Sequence, residues 1–164
     1  MPVDIGGEAI NRGSWKRDGL TFINKATPAA IAGKVTSVDI WAFSNITGLR
    51  VGTFYLTNTE AKLSSGSTLK CRASEAIAGT ITAGSKVNKE TNIEVEIGDY
   101  IGYYFTSGGM ENDLSGYAGL WGKDGEYIDP NDEVEYNLMS GDCSSLGGYI
   151  GAVAAGRSFG FIIG

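Results

Sequence analysis

The stretch Asn92-Ile93-Glu94-Val95-Glu96-Ile97-Gly98-Asp99-Tyr100-Ile101-Gly102-Tyr103-Tyr104-Phe105 decides the fold class. Ile93, Val95 and Ile97 alternate with Glu94 and Glu96. That period of two places one face of a strand in a core and the other in water. Gly98-Asp99 breaks the run, and Tyr100 to Phe105 reads as a second strand, apolar on both faces.

Working outward, the same grammar recurs. Thr21 to Ile23 predicts an early strand that stops before Pro28. Val35 to Phe43 predicts a longer one, with Val38, Ile40 and Ala42 on one face and Asp39, Trp41 and Phe43 on the other. Asn45-Ile46-Thr47-Gly48 reads as the turn into a strand over Leu49 to Leu56. Further strands are expected at Leu69 to Arg72, Gly79 to Thr82, Gly119 to Gly122, Val134 to Met139, and once or twice between Gly148 and Ile163. Only Glu60 to Leu63 and Ala73 to Ala78 suggest a turn or two of helix. About eight to ten strands at spacings near 10 residues, separated by turn residues, point to an antiparallel β-sandwich. A jelly-roll-like arrangement is the first choice and an immunoglobulin-like Greek key the second. No linker or repeat divides the chain, so residues 1–164 are read as one domain.

Composition agrees. The 25 Gly without a collagen period, beside 42% hydrophobic residues, describe many turns around a core rather than disorder. The formal charge is −6 and the 13 Lys and Arg are scattered, so no nucleic-acid partner is expected. No apolar run is long enough for a membrane-spanning helix. Met1-Pro2-Val3-Asp4 does not open a signal peptide, so synthesis in a cytoplasm is expected. Asn45-Ile46-Thr47 matches the N-glycosylation sequon and, on that reading, is merely a turn. Cys71 and Cys143 are read as buried thiols. A disulfide between them, closing a loop of about 70 residues, would contribute about 4 kcal/mol.

The sequence holds no His, which removes Ser-His-Asp, Cys-His and His-metal chemistry. No phosphate-binding loop is present. The chain is therefore read as non-catalytic. A glycosidase needs only two carboxylates, and Glu111, Asp113 and Asp124 are the candidates; they read more simply as loop acids. Asp124, Asp129, Asn131 and Asp132 lie on one expected loop, and calcium is the ion such oxygen donors would take. Otherwise no cofactor is expected. Trp15, Trp41, Tyr103, Tyr104, Tyr117, Trp121 and Tyr127 are aromatic candidates for stacking on a sugar or partner. Tyr117, Trp121 and Tyr127, beside the Asp124 loop, form the glycan platform expected on that reading, and core packing is the competing reading for Trp121 and Trp41. The tail stays apolar to its end. Tyr149, Ile150, Phe159, Phe161 and Ile163 are expected to form a docked strand that closes this sheet or pairs with a neighbouring copy.

The runs Asp4 to Trp15, Gly33 to Ala42, Leu49 to Tyr55 and Gly98 to Phe105 resemble a β-sandwich module of phage and prophage-like reading frames. The resemblance covers most of residues 1–120. It implies a structural, oligomeric role on a virion, as capsid decoration, head fibre or tail-fibre tip, with itself and other virion proteins as partners. A host-surface glycan is a further partner that this role would allow. The alternative is a carbohydrate-binding module. The resemblance carries over no catalytic residue.

Overall fold

A computed structural model describes residues 2–58 and 66–152. Within them the chain forms antiparallel strands and no helix. In order these are β1 (Ile5–Gly6), β2 (Ser14–Arg17), β3 (Leu20–Asn24), β4 (Gly33–Thr47), β5 (Arg50–Leu56), β6 (Gly66–Ala76) and β7 (Lys86–Val95). There follow β8 (Tyr100–Tyr104), β9 (Ser107–Asp113), β10 (Leu120–Asp124), β11 (Glu133–Met139), β12 (Cys143–Ser144) and β13 (Leu146–Ala152).

The all-β antiparallel expectation holds, but the strands do not make two open sheets. One layer is a seven-stranded sheet running β1-β13-β4-β9-β12, with β7 on β4 and β2 on β9. The other closes on itself as a six-stranded barrel, β10-β11-β6-β5-β8-β3. Closure leaves those six strands no unpaired edge.

Adjacent residues show how the layers separate. In β3, Phe22 belongs to the core between sheet and barrel, whereas Ile23 points into the barrel. Ile23, Phe54, Leu69, Cys71, Trp121, Ile128 and Tyr136 fill the barrel interior. That interior is narrow: a Cβ at Gly102 would lie 2.8 Å from Phe54 Cε1 and 2.9 Å from Ile23 Cγ1. Glycine is therefore required there for the barrel to close around its own side chains. Between the layers, Val51, Ile101, Tyr103 and Leu120 of the barrel share a core with Val35, Val38, Ile40 and Leu146 of the sheet. Each buried aliphatic side chain contributes about 1.5–3 kcal/mol over its exposed state. Asn24 ties the layers, donating from Nδ2 to the carbonyls of Ser144 and Leu146 and accepting from the Ser144 N–H.

Several local readings are corrected. Ala73 to Ala76 continues β6 rather than starting a helix, because β6 pairs with β5 up to Arg50↔Ala76. Asn45-Ile46-Thr47 ends β4 rather than turning the chain; the turn falls at Gly48, where φ is +69°. Of Gly79 to Thr82 only Ile81 pairs, in an isolated bridge to Ile46. Ile97 does not share the buried face of Ile93 and Val95: β7 ends at Val95, and Ile97 sits 71% exposed in the turn closed by Asp99 N–H to Glu96 O. The strand signals between Val153 and Ile163, and the helical signal at Glu60 to Leu63, lie outside the described residues. No helix among the described residues is long and apolar enough to cross a membrane.

Candidate functional site

An open cleft of about 770 Å³ lies where sheet and barrel part. One wall is Trp15, Lys16 and Arg17 of β2. Opposite stand the start of β3, the end of β10 with Tyr127, and Asn137 and Met139 of β11. The β10–β3 register, Gly122↔Phe22 through Asp124↔Leu20, aligns the barrel wall. Gly122 leaves room there, since a Cβ would lie 2.8 Å from Met139 Cε and 3.1 Å from Phe22 Cδ1.

The floor is apolar, formed by Leu20, Phe22 and Met139, and the rim is polar. The loop after β10 is held to the β2–β3 connection. Gly125 N–H donates to Gly19 O, Thr21 Oγ1 donates to Gly125 O, and Tyr127 N–H donates to Thr21 Oγ1. These bonds fix Tyr127 over Gly125, whose φ of +109° suits glycine.

Trp15 borders the cleft and is 47% exposed. It stacks on Phe43 of β4, itself 48% exposed, with ring centroids 5.3 Å apart and planes 8° from parallel. Trp15 crosses β9 at Gly109, where a Cβ would come within 3.0 Å of its Cε3. Two large aromatic rings thus lie together at the surface beside a concavity, which is how proteins present a stacking platform.

Charges on the rim are unevenly engaged. Lys16 Nζ lies 3.0 Å from Asp142 Oδ2 and 3.2 Å from Met139 Sδ. Arg17 NH2 lies 3.7 Å from Asp124 Oδ1, and both side chains face solvent. Among the described residues Lys123 makes no ion pair, and no hydrogen bond engages the side chain of Lys123 or Asn137.

The expected platform of Tyr117, Trp121 and Tyr127 is not assembled. Trp121 is fully buried in the barrel, edge-on to Tyr100 at 5.0 Å between centroids, because β10 alternates Leu120 outward and Trp121 inward. Its Nε1–H is the one buried side-chain polar atom among the described residues without a hydrogen-bond partner. Tyr117 lies elsewhere, at a smaller 300 Å³ pocket, with the Arg12 guanidinium 5.0 Å from its ring centroid. Of the three only Tyr127 reaches the cleft.

The acids disperse likewise. Glu111 is buried and accepts the Arg12 N–H at 2.7 Å, and Asp113 accepts from Arg12 NH1 at 2.7 Å. Among the described residues Asp124 is the single carboxylate lining the cleft, so no facing pair of described acids is assembled there. Asp129 pairs with Arg50 at 2.7 Å, and Asp132 Oδ2 caps the Asp129 N–H. Asn131 adopts a φ of +78° between them. No three His, Cys, Asp or Glu side chains among the described residues come together, so Asp124, Asp129 and Asp132 do not meet at one point.

Cys71 and Cys143 are both buried thiols, one inside the barrel and the other in strand β12 of the sheet. Burial pushes the Cys71 thiol up to about 12 and raises Cys143 as well, which disfavours the nucleophilic thiolate. Of the expected assembly residues, Tyr149 and Ile150 lie in β13 and pair with β4 of their own chain. Tyr149 donates to Asp39 Oδ2 at 2.6 Å, and Ile150 N–H donates to Asp4 Oδ2. Phe159, Phe161 and Ile163 lie outside the described residues.

Sequence reasoning named Trp15 among the aromatics but missed its partner and its setting. The available signal was Ser14-Trp15-Lys16-Arg17, a bulky ring among polar neighbours between Gly13 and Asp18-Gly19, a poor context for a core residue. No protein-family model, no curated protein and no solved structure matches this chain.

Proposed function

We propose that this protein is a carbohydrate-binding module that holds its ligand in the cleft bordered by Trp15, binding without turnover. One observation carries the reading: a half-exposed Trp15, stacked on Phe43, borders an apolar-floored cleft whose rim offers hydrogen-bonding side chains. Sugar rings present an apolar C–H face and an equatorial belt of hydroxyls. An aromatic ring meets the first, and Asn137, Tyr127 and Lys123 are of the type that meets the second. The stack on Phe43 supports the reading further, because a ring already held in place loses less freedom when the ligand arrives.

A glycan array tests it. Binding to at least one glycan class by the wild type, lost in Trp15→Ala and retained in Tyr117→Ala, is the expected pattern. Hits that survive Trp15→Ala would overturn the site, and an array with no hit would overturn the reading. Incubation with a bound oligosaccharide should leave its length unchanged.

The resemblance of Gly33 to Ala42 and Gly98 to Phe105 to phage-type modules supports a setting for that binding, the surface of a phage-like virion in several copies. Light scattering and co-sedimentation with particles test the setting independently. A protein that stays monomeric and never sediments with particles counts against it.

A further inference from the structure

We infer that the ligand of this cleft is an anionic oligosaccharide, carrying carboxylate or sulfate groups, with Lys123 and Arg17 receiving the negative charge. This rests on the carbohydrate-binding reading and specifies its substrate class. The motivating fact is an inversion of local charge. Acids outnumber bases in the chain, 19 to 13, yet three bases, Lys16, Arg17 and Lys123, line the cleft against one acid, Asp124.

The engagement of those bases sharpens the point. Lys16 is largely committed to Asp142, whose carboxylate is nearly buried. Arg17 faces Asp124 at 3.7 Å, with side chains 62% and 84% exposed. An exposed pair at that distance holds little energy, so an incoming anion can replace Asp124 as its partner. Lys123, opposite β2 on the barrel wall, has no ion-pair partner among the described residues. One exchangeable cation and one uncommitted cation therefore line a cleft that already has an aromatic border. A neutral sugar would use the ring and the hydroxyl partners but leave Lys123 without a counter-charge.

The cleft volume of about 770 Å³ also fits more than a single sugar, since pockets for compact drug-sized ligands span roughly 300–1,000 Å³. The exposed Phe43 continues the aromatic surface beyond the cleft, which favours an oligomer lying across both.

The experiment is an array of matched pairs: oligogalacturonides against their methyl esters, and sulfated against unsulfated oligosaccharides. Hits are then titrated at low and physiological salt. The acidic member of a pair should bind at least about tenfold tighter, Lys123→Ala should remove about tenfold of that, and salt should weaken the acidic member selectively. Carboxylate or sulfate preference within the pairs distinguishes the two sources of charge. Equal binding of acidic and neutral members, with Trp15→Ala still abolishing both, overturns the charge inference and keeps the carbohydrate reading. No binding to any printed glycan overturns both. If Lys123→Ala is poorly folded, Lys123→Gln keeps the stem and removes the charge, and it should show the same loss.

Discussion

Two tryptophans should separate binding from stability. Trp15 is half-exposed and held by the stack on Phe43, while its strand is secured by backbone pairing to β9 from Ser14↔Asn112 to Arg17↔Gly109. Trp15→Ala leaves that ladder intact. It loses an aromatic pair worth about 0.5–1.5 kcal/mol and part of the 3–5 kcal/mol that a fully buried Trp→Ala costs. A total near 2 kcal/mol lowers Tm by about 4–8 °C at this chain length. Against ligand the same ring is the central anchor, and removing an anchor of about 2 kcal/mol weakens Kd about 30-fold. Trp121 presents the opposite case. It is fully buried in a barrel lined by Phe54, Leu69 and Tyr136. Trp121→Ala should cost about 3–5 kcal/mol through the cavity it leaves, with Kd of the folded protein unchanged. Calorimetric titration and thermal denaturation on the same samples give both quantities. The reasoning fails if Trp15→Ala keeps its affinity within about threefold, or if Trp121→Ala loses affinity with stoichiometry intact.

Three other perturbations follow from the same geometry. Arg12, whose side chain is 1% exposed, donates to Ser145 Oγ, Asp113 Oδ2 and Glu8 O at 2.6–2.7 Å; Arg12→Ala should cost about 3 kcal/mol or more in chemical denaturation, and Arg12→Lys should recover little, since an ammonium does not reproduce the planar fork. Alkaline pH should destabilise in two windows: the Cys71 thiol is pushed up to about 12 by burial and the Tyr149 hydroxyl to about 12 by its hydrogen bond to Asp39. Both folded values lie above the unfolded ones, so this stability is complete below about pH 9 for Cys71 and about pH 10 for Tyr149, and is lost as pH rises to about 12. Denaturation across pH 8–12 checks this, and Tyr149→Phe should flatten only the upper window. Gly109→Ala places a Cβ 3.0 Å from Trp15 Cε3 and 3.2 Å from Ser44 Oγ; a ring displaced at a cost of about 1 kcal/mol should lower Tm by only about 2–4 °C and weaken glycan binding about fivefold.

What the sequence revealed follows from which faces are buried. β4, β5, β8 and β11 are legible because alternate residues such as Val38, Ile40 and Ala42 meet one core. β9 is not legible: Glu111 and Asp113 read as loop acids, yet Glu111 and Asn112 are buried because Arg12, Asp142 and Ser144 satisfy them. Buried polar strands carry no hydrophobic signal, since their burial depends on partners remote in sequence. Barrel closure is hidden for a related reason. Strand β10 looks the same whether its second edge meets β3 or water, and only the register Trp121↔Ile23 distinguishes them. Once the barrel closes, Trp121 must point inward, and the expected platform disappears with it.

The cleft itself follows from one short connection. β2 pairs in the sheet and β3 in the barrel, yet only Asp18 and Gly19 separate Arg17 from Leu20. The chain therefore crosses between layers in two residues, and its two ends diverge as opposite walls. A ligand that touches Trp15 on one wall and Tyr127 or Lys123 on the other adds to the few contacts between them, which include the weak Arg17–Asp124 pair, the Lys16 Nζ to Met139 Sδ contact and the Gly125 N–H bond to Gly19 O. Binding should then stabilise locally as well as globally, because β2 is paired on β9 alone. At 100 times Kd the global gain is about 2.7 kcal/mol. Amide exchange at Trp15, Lys16 and Arg17 should slow most on saturation, while the barrel amides at Ile23 and Phe54 change only by the global term. Uniform slowing across both layers would place the ligand away from this cleft.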